Sequence, residues 1–372
     1  MRLKYTGAAR DYSGYGEANR HDIAALNAAG VDLTLEVPRY TPEGADFGKL
    51  SELVDNLENK PIGYYAKVIH TTPNVYPQYY EPGKYHIGRV FWETDKLPAD
   101  FIKGLSCVDE IWTGSEYNKQ AIINSGVDKP IYIIPQAIDT SLDISKVEPY
   151  MVHYSGDFKF YSIFEWTERK NPMALLEAYW REFEHDTKVS LTIKTYVDNF
   201  NPNKRLEIDS QIKRVKKMLG LSHYAPVYLY RELMDRHQVY RFHKTFDCFV
   251  SAHRGEGWGL PQLEAMLMEK PIISTNCGGV HEYLTRQEAY LIDWTPTPVV
   301  NNRNKQWYTP DQNWAGVNVD SLRAAMRDCF TNKAKSSAMG KAGGALVRER
   351  FNFSRVGNLM RNRLLEIINP KL

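Results

Sequence analysis

The chain has 372 residues, more than one hydrophobic core ordinarily organises, so two domains are expected. Hydrophobic residues make up 43% and charged residues 25%, and a net charge of +2 argues against a dedicated polyanion binder. No apolar run approaches the ~18 residues that span a bilayer. The opening MRLKYTGAARDYSGYG carries no signal-peptide pattern, so the expectation is a cytoplasmic protein, with peripheral membrane contact left open. Cys107, Cys248, Cys277 and Cys329 lie far apart with no C-x-x-C pair, which reads as reduced thiols rather than a disulfide or zinc framework.

Short apolar strands alternate with amphipathic helices along the chain, the pattern of α/β layers with parallel sheets. In the first half, strands are predicted at Leu33–Val37, Tyr64–Ile69, His86–Phe91, Glu110–Thr113 and Ile131–Ile134. Helices are predicted at Glu17–Ala29 and Ser115–Asn124, the second with Ser115 as its N-cap and Gly126 just past its end. Asp139–Asp157 lacks periodicity and reads as a linker, giving domains of about 1–145 and 155–350. In the second half, strands are predicted at Tyr161–Phe164, Val189–Tyr196, Val227–Tyr230, Cys248–Ser251, Pro271–Ser274 and Tyr290–Ile292. The helices between them are Pro172–Phe183, Leu206–Leu219, Met234–Thr245 and Pro261–Met268. Trp294–Val319 is expected to be irregular, and Ser321–Phe330, Lys333–Arg350 and Ser354–Ile368 helical. The 24 tyrosines and 8 tryptophans suit sugar stacking as well as core packing, with packing the ordinary use.

The segment FVSAHRGEGWGLPQLEAMLMEKPIISTNCGGVHEYL, residues 249–284, reads strand, glycine loop, helix, strand, glycine loop, helix. Gly255, Gly257 and Gly259 let the backbone turn tightly and approach a ligand, and Pro261 suits the first helical position. The N–H groups of that helix start form an anion site suited to a diphosphate. Glu256 in the loop and Glu264 one turn into the helix can accept hydrogen bonds from sugar and ribose hydroxyls. A tight turn with solvated glutamates is the alternative.

This segment resembles the E-x7-E motif of retaining glycosyltransferase family 4, the group 1 transferases, with Glu256 and Glu264 at the matching positions. The following Gly278-Gly279 pair and Glu282 match as well. The resemblance implies that Glu256, with Gly257, Trp258, Gly259 and Leu260, contacts the donor sugar and diphosphate, and that Glu264 contacts the ribose. FEWTERKNPMALLEAYWREF, beginning at Phe164, is similar to the start of the family's C-terminal domain. There Arg169 and Lys170 precede a helix opened by Pro172 and suit a bound diphosphate. Relatives carry an Arg five residues before the Lys; Glu165 stands there in this chain, leaving Arg169 as the nearest cation for that role.

Nearer the N-terminus, the family places a glycine loop opposite the donor diphosphate, and Gly14, Tyr15 and Gly16 match it. Glu93 in WETD lies at a strand's C-terminal end, where α/β sheets place ligands. His70, His253 and Arg254 are further candidates for donor or acceptor contacts, although packing is the ordinary role of a histidine. Gln136-Ala137 stands where relatives have a His-Gly pair.

The resemblance implies the GT-B fold, two Rossmann-like domains facing each other across a cleft, with a C-terminal helix (354–372) crossing back to the first domain. It also implies retention of anomeric configuration. The expected catalytic groups are Glu256, Lys170 and Arg169. No D-x-D occurs, so no metal or other cofactor is expected beyond the nucleotide-diphosphate sugar itself, carrying UDP or GDP. The acceptor stays open among a glycan, a lipid-linked or small molecule, and a hydroxylated base of nucleic acid. The basic helix end at Lys213, Arg214, Lys216 and Lys217 suits an anionic partner or plain solvation. A non-catalytic carbohydrate-binding or assembly protein on the same fold is the alternative from another class.

Overall fold

The computed structural model describes residues 1–39, 48–151, 156–186, 188–197, 204–300 and 302–369. The chain divides into two compact units, Met1–Leu142 with Val347–Leu372, and Asp143–Leu346. Residues 152–155 of the expected linker, 301 of the expected irregular stretch and 370–372 of the C-terminal segment lie outside the described residues.

The first unit runs β1 (Arg2–Gly7), α1 (Gly14–Ala28), β2 (Asp32–Glu36), α2 (Lys49–Leu57), β3 (Ala66–His70), β4 (Tyr85–Val90), α3 (Ala99–Leu105), β5 (Glu110–Thr113), α4 (Glu116–Asn124) and β6 (Ile131–Ile133). Its six strands pair in parallel in the order β2-β1-β3-β4-β5-β6. The inner strands β3 and β5 are buried along their whole length, as strands covered on both faces must be. The strand β1 and the helices α2 and α3 lie outside the sequence expectations. In β1 the cause is composition, since only Leu3 and Tyr5 present large apolar groups inward.

The second unit runs β7 (Phe158–Glu165), α5 (Pro172–Glu182), β8 (Val189–Tyr196), α6 (Arg205–Leu219), β9 (Val227–Tyr230), α7 (Arg236–Thr245), β10 (Cys248–Ser251), α8 (Leu260–Leu267), β11 (Ile272–Thr275), β12 (Ala289–Ile292), β13 (Trp294–Pro298), β14 (Asn313–Val317), α9 (Val319–Thr331) and α10 (Lys333–Arg350). Its main sheet has the order β12-β11-β10-β7-β8-β9, again all parallel. Counted from β7, that is the doubly wound 3-2-1-4-5-6 arrangement read from its other edge. The strand order reverses between β7 and β10, and ligands of such sheets bind at the carboxyl ends of the strands there. In the first unit the reversal falls between β1 and β3.

The stretch expected to be irregular, Trp294–Val319, instead contains the antiparallel hairpin β13–β14. Alternating Thr and Pro in WTPTP hide its strand character, because Pro cannot donate to a ladder and is confined to edges. The expected linker holds a 3-10 turn at Ile144–Lys146, capped by Asp143. Trp112, Trp166, Trp180, Tyr5, Tyr161, Tyr179 and Tyr283 are all buried, so much of the aromatic content serves packing.

The last helix, α11 (Phe353–Ile368), lies against α1 in the first unit. Val356, Met360 and Leu364 enter the same core as Ile23 and Leu26, and Arg363 Nη2 donates to Glu110 Oε2 at 2.6 Å. The helices approach so closely at Gly357 that a Cβ there would stand 1.9 Å from the Ala25 carbonyl oxygen. Gly→Ala in an open helix gains about 1 kcal/mol. Here Gly357→Ala should reverse that sign and cost about 2 kcal/mol, as overpacking does, measured by urea denaturation.

Candidate functional site

At the switch point of the second sheet, two loops meet. One follows β7 and turns over Glu168–Asn171 before α5, closed by Asn171 N–H donating to Glu168 O at 3.2 Å. Asn171 caps α5 in the left-handed region, φ 54°. The other loop, residues 252–259, follows β10 and enters α8. Arg254 N–H donates to Arg169 O at 2.7 Å, tying the loops through their backbones. Arg169 Nη1 also donates to Gly255 O at 2.9 Å.

These ties bring Arg169, Lys170 and Glu256 together. Lys170 Nζ donates to Glu256 Oε2, and Arg169 Nη1 stands 3.8 Å from the same oxygen. Glu256 is buried. Burial alone would raise its pKa, but the charges of Lys170 and Arg169 outweigh it and hold the carboxyl down at about 2. Glu256 thus has two cationic neighbours.

The glycines of the segment have concrete duties here. Gly259, the N-cap of α8, sits at φ 89°, and a Cβ there would lie 2.6 Å from Tyr283 Oη. That hydroxyl donates to Trp258 O at 2.7 Å and to Gly259 O at 3.0 Å. The Gly278-Gly279 pair lies directly on the Glu256 backbone: Gly279 N–H donates to Glu256 O at 2.7 Å, and a Cβ on Gly278 would fall 2.4 Å from that oxygen. Trp258 is buried against Tyr283, with ring centroids 5.1 Å apart. Leu260 occupies the first position of α8 and Pro261 the second, one place later than expected. Gly257 completes the loop between Glu256 and Trp258.

Glu264 is buried one turn into α8, and its carboxylate is already oriented. Arg236 Nη2 lies 2.8 Å from Oε1 and His243 Nε2 3.3 Å from Oε2. His243 Nδ1 meets Tyr161 OH at 2.7 Å. Burial lowers the His243 pKa, so a neutral ring with its proton on Nε2 satisfies both neighbours. Lys194, buried on β8, has its pKa pulled down to about 8 by desolvation, opposed by Glu264. Arg236, His243 and Lys194 were absent from the sequence expectations. The one local signal was the Asp235–Gln238 capping box that places Arg236 in the first turn of α7.

In the first unit, Gly14, Tyr15 and Gly16 are not a loop ahead of a helix but the first turn of α1, capped by Ser13 Oγ accepting from Gly16 N at 3.3 Å. Gly16 is required by packing, since a Cβ would lie 2.0 Å from Asp11 O. Tyr15 stands with His70, ring centroids 5.7 Å apart, and burial together with the Glu93 charge raises its phenol pKa. His70 ends β3; its Nδ1 is 2.7 Å from Tyr5 OH and 3.3 Å from Asp22 Oδ2. Arg89 Nε and Gln136 Nε2 each donate to Asp22 at 2.9 Å. Gln136, where relatives have histidine, therefore serves this buried network and also donates to Ala18 O at 2.9 Å.

Two candidates do not join the Glu256 cluster. His253 is fully buried; Nε2 contacts Cys277 O at 2.9 Å and Nδ1 contacts Ser251 Oγ at 3.0 Å, so both nitrogens are occupied inside the core. Arg254 turns its guanidinium onto the Trp314 ring, 5.3 Å from the centroid. On α6, Lys213, Arg214 and Lys217 are exposed, while Lys216 lies over Trp180 and Tyr224 at 5.2 and 4.8 Å.

Two doubly wound units, the second with paired cations and a carboxylate at its switch point, define the GT-B glycosyltransferase fold. Residues 160–299 match the family model of the glycosyl transferases group 1. The whole chain is similar in fold to solved glycosyltransferases. Sucrose-phosphate synthase from Thermosynechococcus elongatus shares 13% identity, covers 100% of both chains and superposes with a TM-score of 0.70. A glycosyltransferase from Rickettsia africae shares 14%, covering 99% of each chain, with a TM-score of 0.68. Anabaena HepE, solved in complex with UDP and glucose, shares 14% over 98% of this chain and 99% of its own, with a TM-score of 0.65. No curated protein sequence matches the chain. Among the described residues no helix is long and apolar enough to cross a membrane.

Acid should destabilise this site in two stages. Burial lowers His253 from 6.5 to about 4, so between those values the unfolded chain binds a proton that the native state refuses. Stability falls as pH drops through that window, by on the order of 3 kcal/mol. Glu256, depressed from 4.5 to about 2, adds a further loss as pH falls below 4.5. Urea titrations from pH 7 to 3 should show this decline, and His253→Gln should lessen it between pH 6.5 and 4, where burial lowers His70, His86 and His243 as well.

Proposed function

We propose that the chain is a retaining glycosyltransferase that moves a sugar from a nucleoside-diphosphate sugar to an acceptor hydroxyl in the cytoplasm without a bound metal. The observation that carries this reading is the Arg169–Lys170–Glu256 cluster, a buried carboxylate with two half-buried cations at the switch point beside the start of α8. Breaking the anomeric C–O bond places negative charge on the departing diphosphate. The two cations and the N–H groups at the start of α8 stabilise that charge as it develops in the transition state. Protein cations thereby take the part that a divalent metal plays on nucleotides elsewhere.

Glu256 has two tasks in this reading. It fixes both cations, and its remaining oxygen accepts a hydroxyl of the donor sugar. Glu264, oriented by Arg236 and His243, receives the ribose hydroxyls. UDP is the favoured nucleotide because HepE was solved with UDP and glucose. Retention follows from the resemblance to group 1 transferases: the leaving phosphate removes the acceptor proton on the same face of the sugar. In the first unit, Tyr15, His70 and Glu93 form a second cluster at the β1/β3 switch point, available to donor or acceptor hydroxyls.

Lys170→Ala should lower kcat by roughly 100-fold or more, the usual cost of removing a group that stabilises transition-state charge, while the UDP dissociation constant rises less than about tenfold. Steady-state kinetics beside calorimetric UDP titration would check this; equal losses in both would reduce Lys170 to a binding cation. Glu256→Gln should eliminate measurable sugar transfer yet keep UDP binding, and an unfolded variant would assign Glu256 a purely structural role.

A further inference from the structure

Beside the Glu256 cluster, and wholly within the second unit, lies a separate cavity of about 200 Å³. It is enclosed by the β7–α5 loop, the starts of α5 and the flank of α6, and the β13–β14 hairpin, with Trp166 and Trp314 among its walls. The hairpin is fixed to the site loop by Ala315 N–H donating to Arg254 O at 2.7 Å.

Charge in this cavity is unbalanced in one place. Arg303 at the rim is matched by Glu168 at 3.4 Å and by Glu207, which also takes Lys204 at 3.8 Å. That group is neutral as a whole. Arg254 is not part of it: among the described residues its half-buried guanidinium has the Trp314 ring and no carboxylate partner. Burial lowers its pKa with no neighbouring charge to oppose the effect. Thr167 Oγ1 and Trp314 Nε1, from two residues that line the cavity, are buried without a protein hydrogen-bond partner. Buried polar atoms without partners are rare in native proteins and call for a reason.

We propose that this cavity binds a carboxylate-bearing pyranose, a hexuronate-type sugar. One uncompensated guanidinium matches one carboxylate, a pairing that Arg makes with two parallel hydrogen bonds. Indole and Met173 surfaces suit the C–H face of a sugar ring, and Thr167, Thr297 and Gln211 supply polar groups for its hydroxyls. A cleft of this volume suits one sugar ring. Because Arg254 lies two residues before Glu256, the bound sugar would anchor an acidic glycan close to the reacting centre.

The test uses the full chain and calorimetry or saturation-transfer NMR with sodium D-glucuronate, D-glucose and sodium acetate, each with saturating UDP-glucose present. Glucuronate should bind at least tenfold more tightly than either control, undisturbed by UDP-glucose. Arg254→Gln should weaken it at least tenfold, and Met173→Trp, which fills the cavity, should remove it while UDP binding persists. Methyl β-D-glucuronide binding as well as the free acid would mark a glycan-linked residue; binding of the free acid alone would mark a soluble sugar acid. Glucuronate no tighter than glucose, displaced by UDP-glucose, or unaffected by both substitutions overturns the proposal. Loss of UDP binding in the unaltered chain would instead overturn the donor reading and leave this one standing on its own selectivity.

Discussion

A buried carboxylate held by two cations is the constraint on which the second unit's site depends. Desolvation alone would raise the Glu256 pKa; Lys170 and Arg169 reverse that, and Glu256 in turn anchors Lys170. Together they keep full charge out of water, at a cost that a hydrophobic trio of similar size would not incur. Such a cluster is therefore poor evidence for stability and good evidence for chemistry. Its role in the fold is positional: it welds the loop after β7 to the loop after β10, the two loops that flank the reversal of strand order. The backbone contacts at Gly278 and Gly279 then hold this loop from behind, where a side chain would collide with the carbonyl of Glu256 or Gly257.

The first unit meets the same demand with different parts. Its switch point lies between β1 and β3, and the carboxylate behind it is Asp22, gripped by Arg89 and Gln136. Burial raises the Asp22 pKa, and the Arg89 charge together with the hydrogen bonds of His70 and Arg89 more than reverses that, so the group stays ionised in the core. Asp22 and Tyr5 orient His70 through Nδ1, leaving the other face of the ring toward Tyr15 and Phe91. Burial lowers the His70 pKa despite the nearby carboxylate. A neutral, fixed imidazole is a hydrogen-bonding group rather than a charge, which suits hydroxyl recognition over phosphate binding.

Much of the second unit was legible because its sequence carries signals with mechanisms. The Gly-rich turn, the proline at the head of α8 and the glutamates at E-x7-E spacing locate strand, turn and helix within a residue or two. The Lys170–Glu256 contact was not legible, since 86 residues separate the partners and only the strand order brings them together. His253 and Arg254 show what the sequence leaves open at neighbouring positions. They adjoin in the chain, yet one side chain enters the core and the other crosses to a tryptophan 60 residues further on. Alternation along an extended segment sends neighbours to opposite sides, and no composition signal says which side holds a ligand. The hairpin escaped for a local reason, its prolines and threonines masking a ladder. Gln136 escaped because a family comparison marks it as a departure, while its partner, Asp22, sits in a helix 114 residues earlier.

The hairpin also bears on how such a fold diversifies. The main sheet and the Glu256 cluster are tied by short-range backbone contacts that tolerate little change, as the glycine clearances of 2.0 to 2.6 Å around them show. The β13–β14 hairpin lies outside that sheet and pairs only with itself in the strand ladder. Yet the hydrogen bond from Ala315 to Arg254 fastens it to the backbone of the Glu256 loop. Side chains on the hairpin can therefore alter what is held next to Glu256 without moving Glu256. Under the proposed function, a rigid centre at Glu256 with an adjustable neighbour would let one donor chemistry be combined with different bound sugars, with specificity in the peripheral element and turnover in the sheet.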